Sequence, residues 1–213
     1  MPQREERRRR VRGLYVITDP GLQSPGTLPG RVLQAIRGGA AMVQYRDKGA
    51  DAARRREEAG ALAELCRRHG VLFIVNDDAA LAAAVGADGV HVGRGDSAVA
   101  DARAVVGPER LVGVSSYNDP ERALHLQAEG ADYVAFGAFF PSPTKPGAVR
   151  ATPEMLRRIR PRLRVPVVAI GGITARNAAP VVAAGADALA VITDVFSAPD
   201  VEAAARAYAS LFD

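Results

Sequence analysis

An internal repeat limits the fold of this chain more than any other feature of its sequence. The tripeptide Gly-Ala-Asp occurs at residues 86–88, 130–132 and 185–187, and a weaker copy, Gly-Ala-Ala, occurs at residues 39–41. An apolar run follows each copy. Each copy follows an alanine-rich helical pattern, and its glycine stands where glycine commonly ends a helix. The repeat therefore predicts four units in which a helix ends and a strand begins.

A second set of apolar runs alternates with these repeat units. Its members cover residues 14–18, 72–76, 111–115 and 166–170. Their continuous apolar character is typical of parallel strands that are buried on both faces of a sheet. Helix start signals, such as Asp-Pro-Glu at residues 119–121, lie between the runs. Together the two sets predict eight short strands with helices between them.

This alternation predicts a single (β/α)8 TIM barrel. Strands that alternate with helices indicate βαβ units, and eight such units in 213 residues fit a compact barrel. A doubly wound open sheet is the alternative. We disfavour it because no Gly-x-Gly-x-x-Gly motif follows the first strand and because the repeat continues towards the end of the chain. In a barrel, the chemistry belongs to the loops that follow the strands.

The N-terminal segment differs from the rest of the chain in charge. Residues 4–12 contain six arginines and two glutamates, in a chain whose net charge is +4. We expect residues 1–12 to form a short, flexible, disordered Arg-rich arm and residues 13–213 to form the barrel catalytic domain. A basic run can also bind nucleic acid. We do not expect that partner, because such runs are more often solvated.

The composition predicts a cytoplasmic location. No apolar stretch approaches the ~20 residues that cross a bilayer, and the N-terminus lacks an apolar secretory segment. Cys66 is the single cysteine, so it forms no internal disulfide, and we expect it to be a small core residue. We therefore expect no membrane partner.

The two lysines of the chain stand out among its 28 basic residues. Lys48 ends the motif Gln-Tyr-Arg-Asp-Lys after strand 2, and Lys145 lies in Pro-Ser-Pro-Thr-Lys-Pro after strand 6. A compact ammonium suits a phosphate. Strands 2 and 6 are opposite each other in an eight-stranded barrel, so both lysines could approach one central diphosphate. The long proline-rich loop of residues 138–151 could close over the substrate as a lid.

Two carboxylates suggest a metal site at the same rim. Asp77 follows strand 3 and Asp96 follows strand 4, and neighbouring strands lie ~4.8 Å apart. Oxygen ligands without histidine or cysteine favour Mg2+ over Zn2+. The alternative is that each aspartate only caps the following helix.

A glycine pair suggests a second anionic site. Gly171 and Gly172 follow strand 7, and loops 7 and 8 of a barrel often hold a monophosphate through backbone N–H groups. The alternative is a turn that simply requires glycine. His91 lies within strand 4, where we expect a hydrogen-bonding role inside the barrel rather than catalysis. His69 and His125 are expected to be exposed on helices.

These motifs, taken in order, resemble those of the thiamine phosphate synthase family over nearly the whole chain. The pieces that carry the resemblance are Gln44-x-Arg46-x-Lys48, Asn76-Asp77, Asp96, Ser115, Ser142-Pro143-Thr144-Lys145-Pro146 and Ile170-Gly171-Gly172-Ile173. The family couples a hydroxymethylpyrimidine diphosphate to a thiazole monophosphate and releases pyrophosphate. The resemblance implies the same Mg2+-dependent reaction here, by dissociative loss of the diphosphate.

The resemblance also implies a role for particular residues. The catalytic residues would be Arg46, Lys48, Ser115 and Lys145. Asp77 and Asp96 would bind Mg2+. The substrate-binding residues would be Gln44, Tyr45, Arg46, Asp47, Lys48, Asn76, Ser115, Ser142, Pro143, Thr144, Lys145, Gly171, Gly172, Ile192 and Thr193. A homodimer is expected from the resemblance alone.

Two departures keep other functions open. The family usually has Asn-Asp-Arg where this chain has Asn-Asp-Asp at residues 76–78, and histidine where Tyr117 stands. The extra carboxylate at Asp78 and the lost arginine would weaken diphosphate binding or alter metal affinity. One alternative is a thiazole tautomerase-like isomerase, although Ser115-Ser116-Tyr117 lacks the histidine that such enzymes use. The other is a non-catalytic regulator that binds a phosphate ligand.

Overall fold

A computed structural model describes residues 2–93, 99–141 and 150–212 of the chain. Its eight parallel strands pair in sequence order, and β1 pairs with β8 to close the sheet into a barrel. This confirms the predicted (β/α)8 barrel and excludes the open sheet. The strands are β1 (Gly13–Ile17), β2 (Ala40–Tyr45), β3 (Leu72–Asn76), β4 (Gly89–Val92), β5 (Leu111–Tyr117), β6 (Tyr133–Phe136), β7 (Val167–Ile170) and β8 (Ala188–Val191).

Helices separate the strands and cover the outside of the barrel. They are α1 (Pro2–Arg9), α2 (Leu28–Arg37), α3 (Ala52–Arg68), α4 (Ala79–Ala84), α5 (Val99–Val106), α6 (Pro120–Ala128), α7 (Pro153–Ile159), α8 (Ala179–Ala183), α9 (Thr193–Phe196) and α10 (Val201–Ala209), with a 3-10 helix at Arg160–Arg162. In this described part of the chain, none of the helices combines the length and the apolar character that a bilayer crossing requires.

The repeat glycines end helices, as the sequence predicts. At Gly86, φ is 69°, a left-handed backbone that glycine adopts without a Cβ clash. Its N–H donates to the Ala83 carbonyl over 3.3 Å, and the Ala87 N–H donates to the Ala82 carbonyl over 2.9 Å. These two bonds form a Schellman motif, which satisfies carbonyl groups at the end of α4 and turns the chain into β4.

The repeat aspartates join neighbouring strands at the N-terminal end of the barrel. Asp88 accepts a hydrogen bond from the Phe73 N–H in β3 at 2.9 Å. Asp132 and Asp187 repeat this contact with the N–H groups of Val112 in β5 and Val167 in β7, at 2.8 and 2.7 Å. Each carboxylate therefore ties the strand it precedes to the strand before it, which explains why Asp follows Gly-Ala in three of the four copies.

The N-terminal segment is helical, which corrects the expectation of a disordered arm. Arg4 of α1 pairs with Asp132 at 2.6 Å, and Arg7 pairs with Asp88 at 2.9 Å. Asp132 is fully buried and also pairs with Arg103. A buried carboxylate requires such partners, because an unpaired charge is costly inside a protein. The arginine run therefore contributes cations to the repeat aspartates, and α1 lies against the N-terminal end of the barrel.

The core has an inner and an outer layer. Inside the barrel, side chains from the strands pack with Val11, which precedes β1 and is 1% exposed. Between strands and helices lies a larger layer of mainly Val, Ala and Leu. Cys66 is fully buried there, as predicted, and it is a free thiol. Burial raises the pKa of the Cys66 thiol to about 12, with a smaller contribution from the Asp88 charge.

Candidate active site

A chain of hydrogen bonds crosses the inside of the barrel from β2 to β5. Gln44 Nε2 lies 2.7 Å from Tyr15 Oη, and the hydroxyls of Tyr15 and Tyr133 are 3.1 Å apart. Tyr133 Oη lies 3.1 Å from Nδ1 of His91, whose Nε2 is 3.0 Å from Ser115 Oγ. The interior hydrogen-bonding role predicted for His91 is therefore confirmed. The chain links Gln44 to Ser115, two residues that the sequence assigned to the site.

Burial controls the ionisation of this chain. Loss of solvent lowers the pKa of His91 to about 4, against the opposing effect of the Asp77 charge, so the imidazole is neutral near pH 7. Burial also raises the pKa of Tyr15 and of Tyr133. The chain is therefore a row of neutral groups, each of which holds its own proton.

Gly113 makes room for the central tyrosine of this chain. A Cβ atom added at Gly113 would lie 1.9 Å from a carbon of the Tyr133 ring. The ring of His91 stacks on that of Tyr133, with centroids 5.6 Å apart and planes 25° apart. A residue without a side chain on β5 thus lets the Tyr133 hydroxyl reach between Tyr15 and His91.

The loop after β2 turns alternate side chains in opposite directions. The Lys48 side chain is 65% exposed, and Arg46 is partly exposed. The Arg46 backbone N–H donates to Thr18 Oγ1 at 2.9 Å, which ties this loop to the end of β1. The Tyr45 and Asp47 side chains are buried instead. These two predicted substrate-binding side chains are therefore directed towards α3 rather than into the barrel mouth.

A polar network connects that loop to α3. Tyr45 Oη donates to Glu58 at 2.7 Å, and Arg54 pairs with Glu58 at 3.1 Å and with Asp47 at 2.5 Å. Asp47 also accepts from the Gly49 N–H at 2.6 Å. Although burial opposes ionisation of Asp47, the Gly49 N–H and the Arg54 guanidinium hold the pKa of its carboxyl below the ordinary value. The network fixes the backbone on both sides of Lys48.

Asp77 lies at the end of β3 in an unusual conformation. Its φ is 62°, in the left-handed region that few residues other than glycine adopt. The Asp77 N–H donates to the His91 carbonyl at 2.8 Å, and Oδ2 of its carboxylate pairs with Lys48 Nζ at 3.1 Å. Strained backbone is often found at functional sites. The structure thus brings together Lys48 and Asp77, which the sequence assigned to the diphosphate and to the metal.

The donor set at Asp77 suits a hard cation. The carboxylate is 28% exposed and already balances an ammonium group, so it is accessible and oriented towards positive charge. The second predicted ligand, Asp96, lies outside the described residues. Among the residues described, no group of three or more His, Cys, Asp or Glu side chains is arranged as a metal site. Asp77 is therefore the one predicted ligand whose surroundings are known.

Asp78 does not add a carboxylate to the barrel mouth. It accepts a hydrogen bond from the Leu81 N–H at 2.8 Å as the cap of α4, and it pairs with Arg55 of α3 at 2.9 Å. Asp78 is therefore engaged with the start of α4 and with α3, and its effect on diphosphate binding or metal affinity stays a prediction.

The end of β5 presents Ser115. The pairing of β5 with β6 shifts between Ser115 and Tyr117, and Tyr117 has a φ of 55°. Arg122 of α6 donates to the Ser115 carbonyl at 3.1 Å. The irregular strand end and this bond set the position of the Ser115 backbone, while its hydroxyl meets His91 inside the barrel.

Gly171 and Gly172 pack against the segment that follows β6. Their φ values are 100° and 65°. A Cβ at Gly171 would lie 2.5 Å from the Ala138 Cβ, and one at Gly172 would lie 2.4 Å from the Pro141 carbonyl oxygen. Both positions therefore require glycine for the turn, and the phosphate binding by their backbone N–H groups stays a prediction. Ile192 and Thr193 lie at the start of α9, where Thr193 is exposed.

Several predicted residues fall in segments that the structure does not describe. These are Asp96, Ser142, Pro143, Thr144 and Lys145. Conversely, sequence reasoning missed Tyr15, Thr18 and Tyr133. Tyr15 and Thr18 belong to an apolar run of the sequence. Tyr15 faces the barrel interior from β1 and Thr18 directly follows β1, and only these positions could have indicated a role in the site.

Comparison with known proteins gives a consistent result. A family model described as thiamine monophosphate synthase matches residues 14–195. A thiamine-phosphate synthase from Thioalkalivibrio sulfidiphilus is 53% identical over 204 residues, covering 96% of this chain and 97% of that protein. A thiamine-phosphate synthase from Halorhodospira halophila is 56% identical over 194 residues, covering 91% of each.

Solved structures add a comparison of the fold. A thiamine phosphate pyrophosphorylase from Pyrococcus furiosus superposes with a TM-score of 0.85 at 35% identity, covering 96% of each chain. A geranylgeranylglyceryl phosphate synthase from Thermoplasma acidophilum gives a TM-score of 0.75 at 18% identity, covering 97% of this chain and 95% of that one. At that identity, the second likeness concerns the barrel alone.

Proposed function

Because this chain belongs to the thiamine monophosphate synthase family, we propose that it is a transferase of thiamine biosynthesis. It joins 4-amino-2-methyl-5-hydroxymethylpyrimidine diphosphate to 4-methyl-5-(2-phosphoethyl)thiazole. The products are thiamine monophosphate and pyrophosphate. The family and the relatives at about 50% identity support this reaction over the alternatives of an isomerase and a regulator.

The observation that carries the proposal is the ion pair between Lys48 and Asp77, at 3.1 Å, which joins the ends of β2 and β3. A diphosphate accompanied by a divalent cation presents one partner for each of these groups. When both bind, Lys48 can pair with the diphosphate and Asp77 with the cation instead of with each other, so neither charge is left without a partner. The partly exposed Arg46 on the same loop adds a second cation.

The proposed reaction is dissociative. The bond between the methylene carbon and the diphosphate oxygen breaks, and its electron pair leaves with the diphosphate. The electron-rich aminopyrimidine stabilises the carbocation, and the lone pair of the thiazole nitrogen then forms the new C–N bond. The protein therefore needs no nucleophile of its own. Its contribution is to position both substrates and to neutralise the charge that develops on the leaving group.

The residues of the site divide between the two substrates in this proposal. Arg46, Lys48 and Lys145 neutralise the diphosphate, Gln44 and Asn76 hold the pyrimidine, and Ser115 lies beside the reacting carbon. The thiazole phosphate is assigned to a set around loops 6 to 8, namely Ser142, Pro143, Thr144, Gly171, Gly172, Ile192 and Thr193. Tyr45 and Asp47 act indirectly, by holding the loop that carries Arg46 and Lys48.

Magnesium is part of the proposal. Asp77 and Asp96 would hold Mg2+, which when bound supplies positive charge to the leaving diphosphate. We also propose a cytoplasmic location, supported by the single cysteine, and a homodimer, which rests on the family alone. Nucleic acid is not a proposed partner, because Arg4 and Arg7 of the basic segment are engaged with Asp132 and Asp88.

The test is a coupling assay with the purified protein, both substrates and Mg2+, with EDTA in a parallel reaction. We expect thiamine monophosphate and pyrophosphate in equal amounts, and no product with EDTA. Product formation that is insensitive to EDTA would contradict the role of Mg2+ but not the coupling reaction. Binding of the thiazole phosphate without coupling would contradict the transferase and favour an isomerase or a regulator.

A further inference from the structure

The hydrogen-bond chain inside the barrel has a property that the reaction does not by itself require. Each hydroxyl carries one hydrogen, and a neutral imidazole carries one N–H. Tyr15, Tyr133, His91 and Ser115 each have one such hydrogen, and three hydrogen bonds join these four residues in a row. If each buried tyrosine hydroxyl both donates and accepts within this hydrogen-bond chain, only two arrangements of the protons remain, and they run in opposite directions.

In the first arrangement, Gln44 is the donor at the start. Its amide N–H donates to Tyr15, Tyr15 donates to Tyr133, and Tyr133 donates to Nδ1 of His91. His91 then carries its proton on Nε2 and donates it to Ser115 Oγ. The hydrogen of Ser115 is not used by the chain and is available to a molecule in the barrel mouth.

In the second arrangement, Ser115 is the donor at the start. Its hydrogen goes to Nε2 of His91, and every bond of the chain reverses until Tyr15 donates to an amide oxygen of Gln44. Ser115 then offers only lone pairs to the mouth. The Gln44 side chain, 3% exposed, has its Nε2 directed at Tyr15, which selects the first arrangement.

We propose that Tyr15, Tyr133 and His91 are positioning residues, which transmit the donor direction of the Gln44 amide to Ser115 so that the Ser115 hydroxyl donates its hydrogen to the substrate. The substrate meant here is the pyrimidine diphosphate, so this part rests on the proposed function. No net transfer of a proton occurs along this row of hydrogen bonds. The row fixes which atom of Ser115 the substrate meets, much as an orienting partner selects the tautomer of a catalytic histidine.

The packing around the chain supports a dedicated arrangement. Four of the five residues are buried, at 0 to 9% exposure, whereas Ser115 is partly exposed at the strand end. Gly113 leaves the space that the Tyr133 ring occupies. Burying so many polar groups in the core of a barrel is costly unless each of them is paired, and here each one is.

The histidine tautomer gives a direct test that needs no activity. Protein labelled with 15N-histidine contains only three such residues, of which His69 and His125 are exposed, and His91→Gln assigns the third signal. Long-range 1H–15N correlation spectra distinguish a proton on Nε2 from one on Nδ1. We expect the Nε2–H tautomer in the wild type. A proton on Nδ1 of His91 in the wild type would overturn the proposal.

Two variants then test whether Gln44 sets the direction. Gln44→Glu at pH 8 replaces the donor by a carboxylate that only accepts, so we expect His91 to change to the Nδ1–H tautomer. Tyr15→Phe interrupts the chain, and we expect a mixture of tautomers. Tyr208→Phe is the control, since it removes a buried hydroxyl that bonds Asp194 and the Ile173 carbonyl outside the chain. An Nε2–H tautomer that persists in both Gln44→Glu and Tyr15→Phe would overturn the proposal.

Steady-state kinetics test the consequence for the reaction. Tyr15→Phe removes no group that contacts substrate, so we expect kcat to fall by about tenfold, as for loss of an outer orienting partner. KM for each substrate should stay within about twofold, because binding contacts are retained. An unchanged kcat in Tyr15→Phe would overturn the effect on Ser115. Inactivity of the wild type would instead overturn the proposed function and leave the tautomer result standing.

Discussion

At the scale of single residues, Asp77 shows how backbone and side chain together shape a site. Its φ of 62° places the carboxylate 3.1 Å from Lys48, and a residue with an ordinary φ would direct its side chain elsewhere. Asparagine tolerates this backbone better than alanine does. A substitution that tests the carboxylate alone is therefore Asp77→Asn, which keeps both the size and the conformational preference of the side chain.

We expect Asp77→Asn to lower kcat at least about tenfold, because one charge that aids departure of the diphosphate is worth about 3 kcal/mol. The melting temperature should change little, since the residue is partly exposed. Thiamine monophosphate formation and thermal unfolding are the measurements. Asp78→Asn is an informative companion, because Asp78 contacts α4 and Arg55 instead. Equal losses of kcat in both variants would contradict the distinction between these neighbouring carboxylates.

Cys66 provides a residue-scale prediction about reactivity. Its thiol is fully buried, and burial raises its pKa to about 12, so it stays protonated at pH 8. The thiolate is the reactive form. We expect no reaction of the native protein with Ellman's reagent at pH 8, and one equivalent of thiol after unfolding in urea. Rapid labelling of the folded protein would show that the helix layer around Cys66 opens readily.

The raised pKa of Cys66 also determines how the free energy of unfolding depends on pH. The pKa of this thiol is higher in the folded than in the unfolded chain, so the difference has no effect on stability at neutral pH. Stability decreases as pH rises above the unfolded value, because only the unfolded thiol ionises there.

At the scale of elements, the loop after β2 depends on α3 for its shape. Arg54 lies between Asp47 and Glu58, and through Asp47 it holds the Gly49 backbone next to Lys48. We expect Arg54→Ala to lower kcat/KM for the pyrimidine diphosphate by about ten- to hundredfold, because small misplacements of a charge-positioning group have effects of this size. KM for the thiazole phosphate should remain unchanged.

Arg56 supplies a matched control for that prediction. Arg56 is exposed on the same helix, and its replacement by alanine removes the same charge as Arg54→Ala does. Kinetic constants within about twofold of the wild type are expected for Arg56→Ala. If both variants lose activity to the same extent, the effect is one of overall charge rather than of loop geometry.

The elements also show what the sequence could and could not predict. Strands and helix ends followed from the repeat, because apolar runs and terminal glycines act locally. In the loop after β2, the motif suggested that all of residues 44–48 contact substrate, whereas side chains there alternate and Tyr45 and Asp47 meet α3. The alternation of a strand would have separated the two groups. The chain through Tyr15 and Tyr133 was not predictable, because these residues are 118 positions apart and meet only through barrel closure.

At the scale of the whole molecule, the two ends of the barrel are built differently. The N-terminal end is held by the repeat aspartates and the arginines of α1. The C-terminal end carries Arg46, Lys48, Asp77 and Ser115 on strand ends and loops. The basic N-terminal segment was expected to be disordered because charge runs are more often solvated. Its order comes instead from carboxylates that are distant in sequence, which local patterns do not reveal.

Arg4→Ala should therefore destabilise the protein without affecting the reaction. Loss of a hydrogen-bonded ion pair to the fully buried Asp132 is expected to cost about 2 kcal/mol of unfolding free energy, with Arg103 retaining part of the compensation. The kcat should be unchanged, because α1 is at the opposite end from the strand-end residues. Urea unfolding and the coupling assay are the two measurements.

Arg9→Ala is the corresponding control. The Arg9 side chain is 79% exposed and pairs with Glu5 of the same helix, at 3.5 Å. An exposed pair of this kind contributes at most about 1 kcal/mol. Equal destabilisation by both substitutions would mean that helix formation, rather than the contact with Asp132, accounts for the effect.

The row of polar groups inside the barrel also has a consequence for how this sequence can change over generations. A substitution at Tyr15, Tyr133 or His91 alone leaves its neighbour with an unmet bond, while a change at Gly113 displaces the Tyr133 ring. These positions should therefore vary together among related sequences. Activity that a single substitution removes should be recovered only by compensating substitutions at the other positions. A mutational library that varies them together would find folded, active combinations that a one-at-a-time scan rejects.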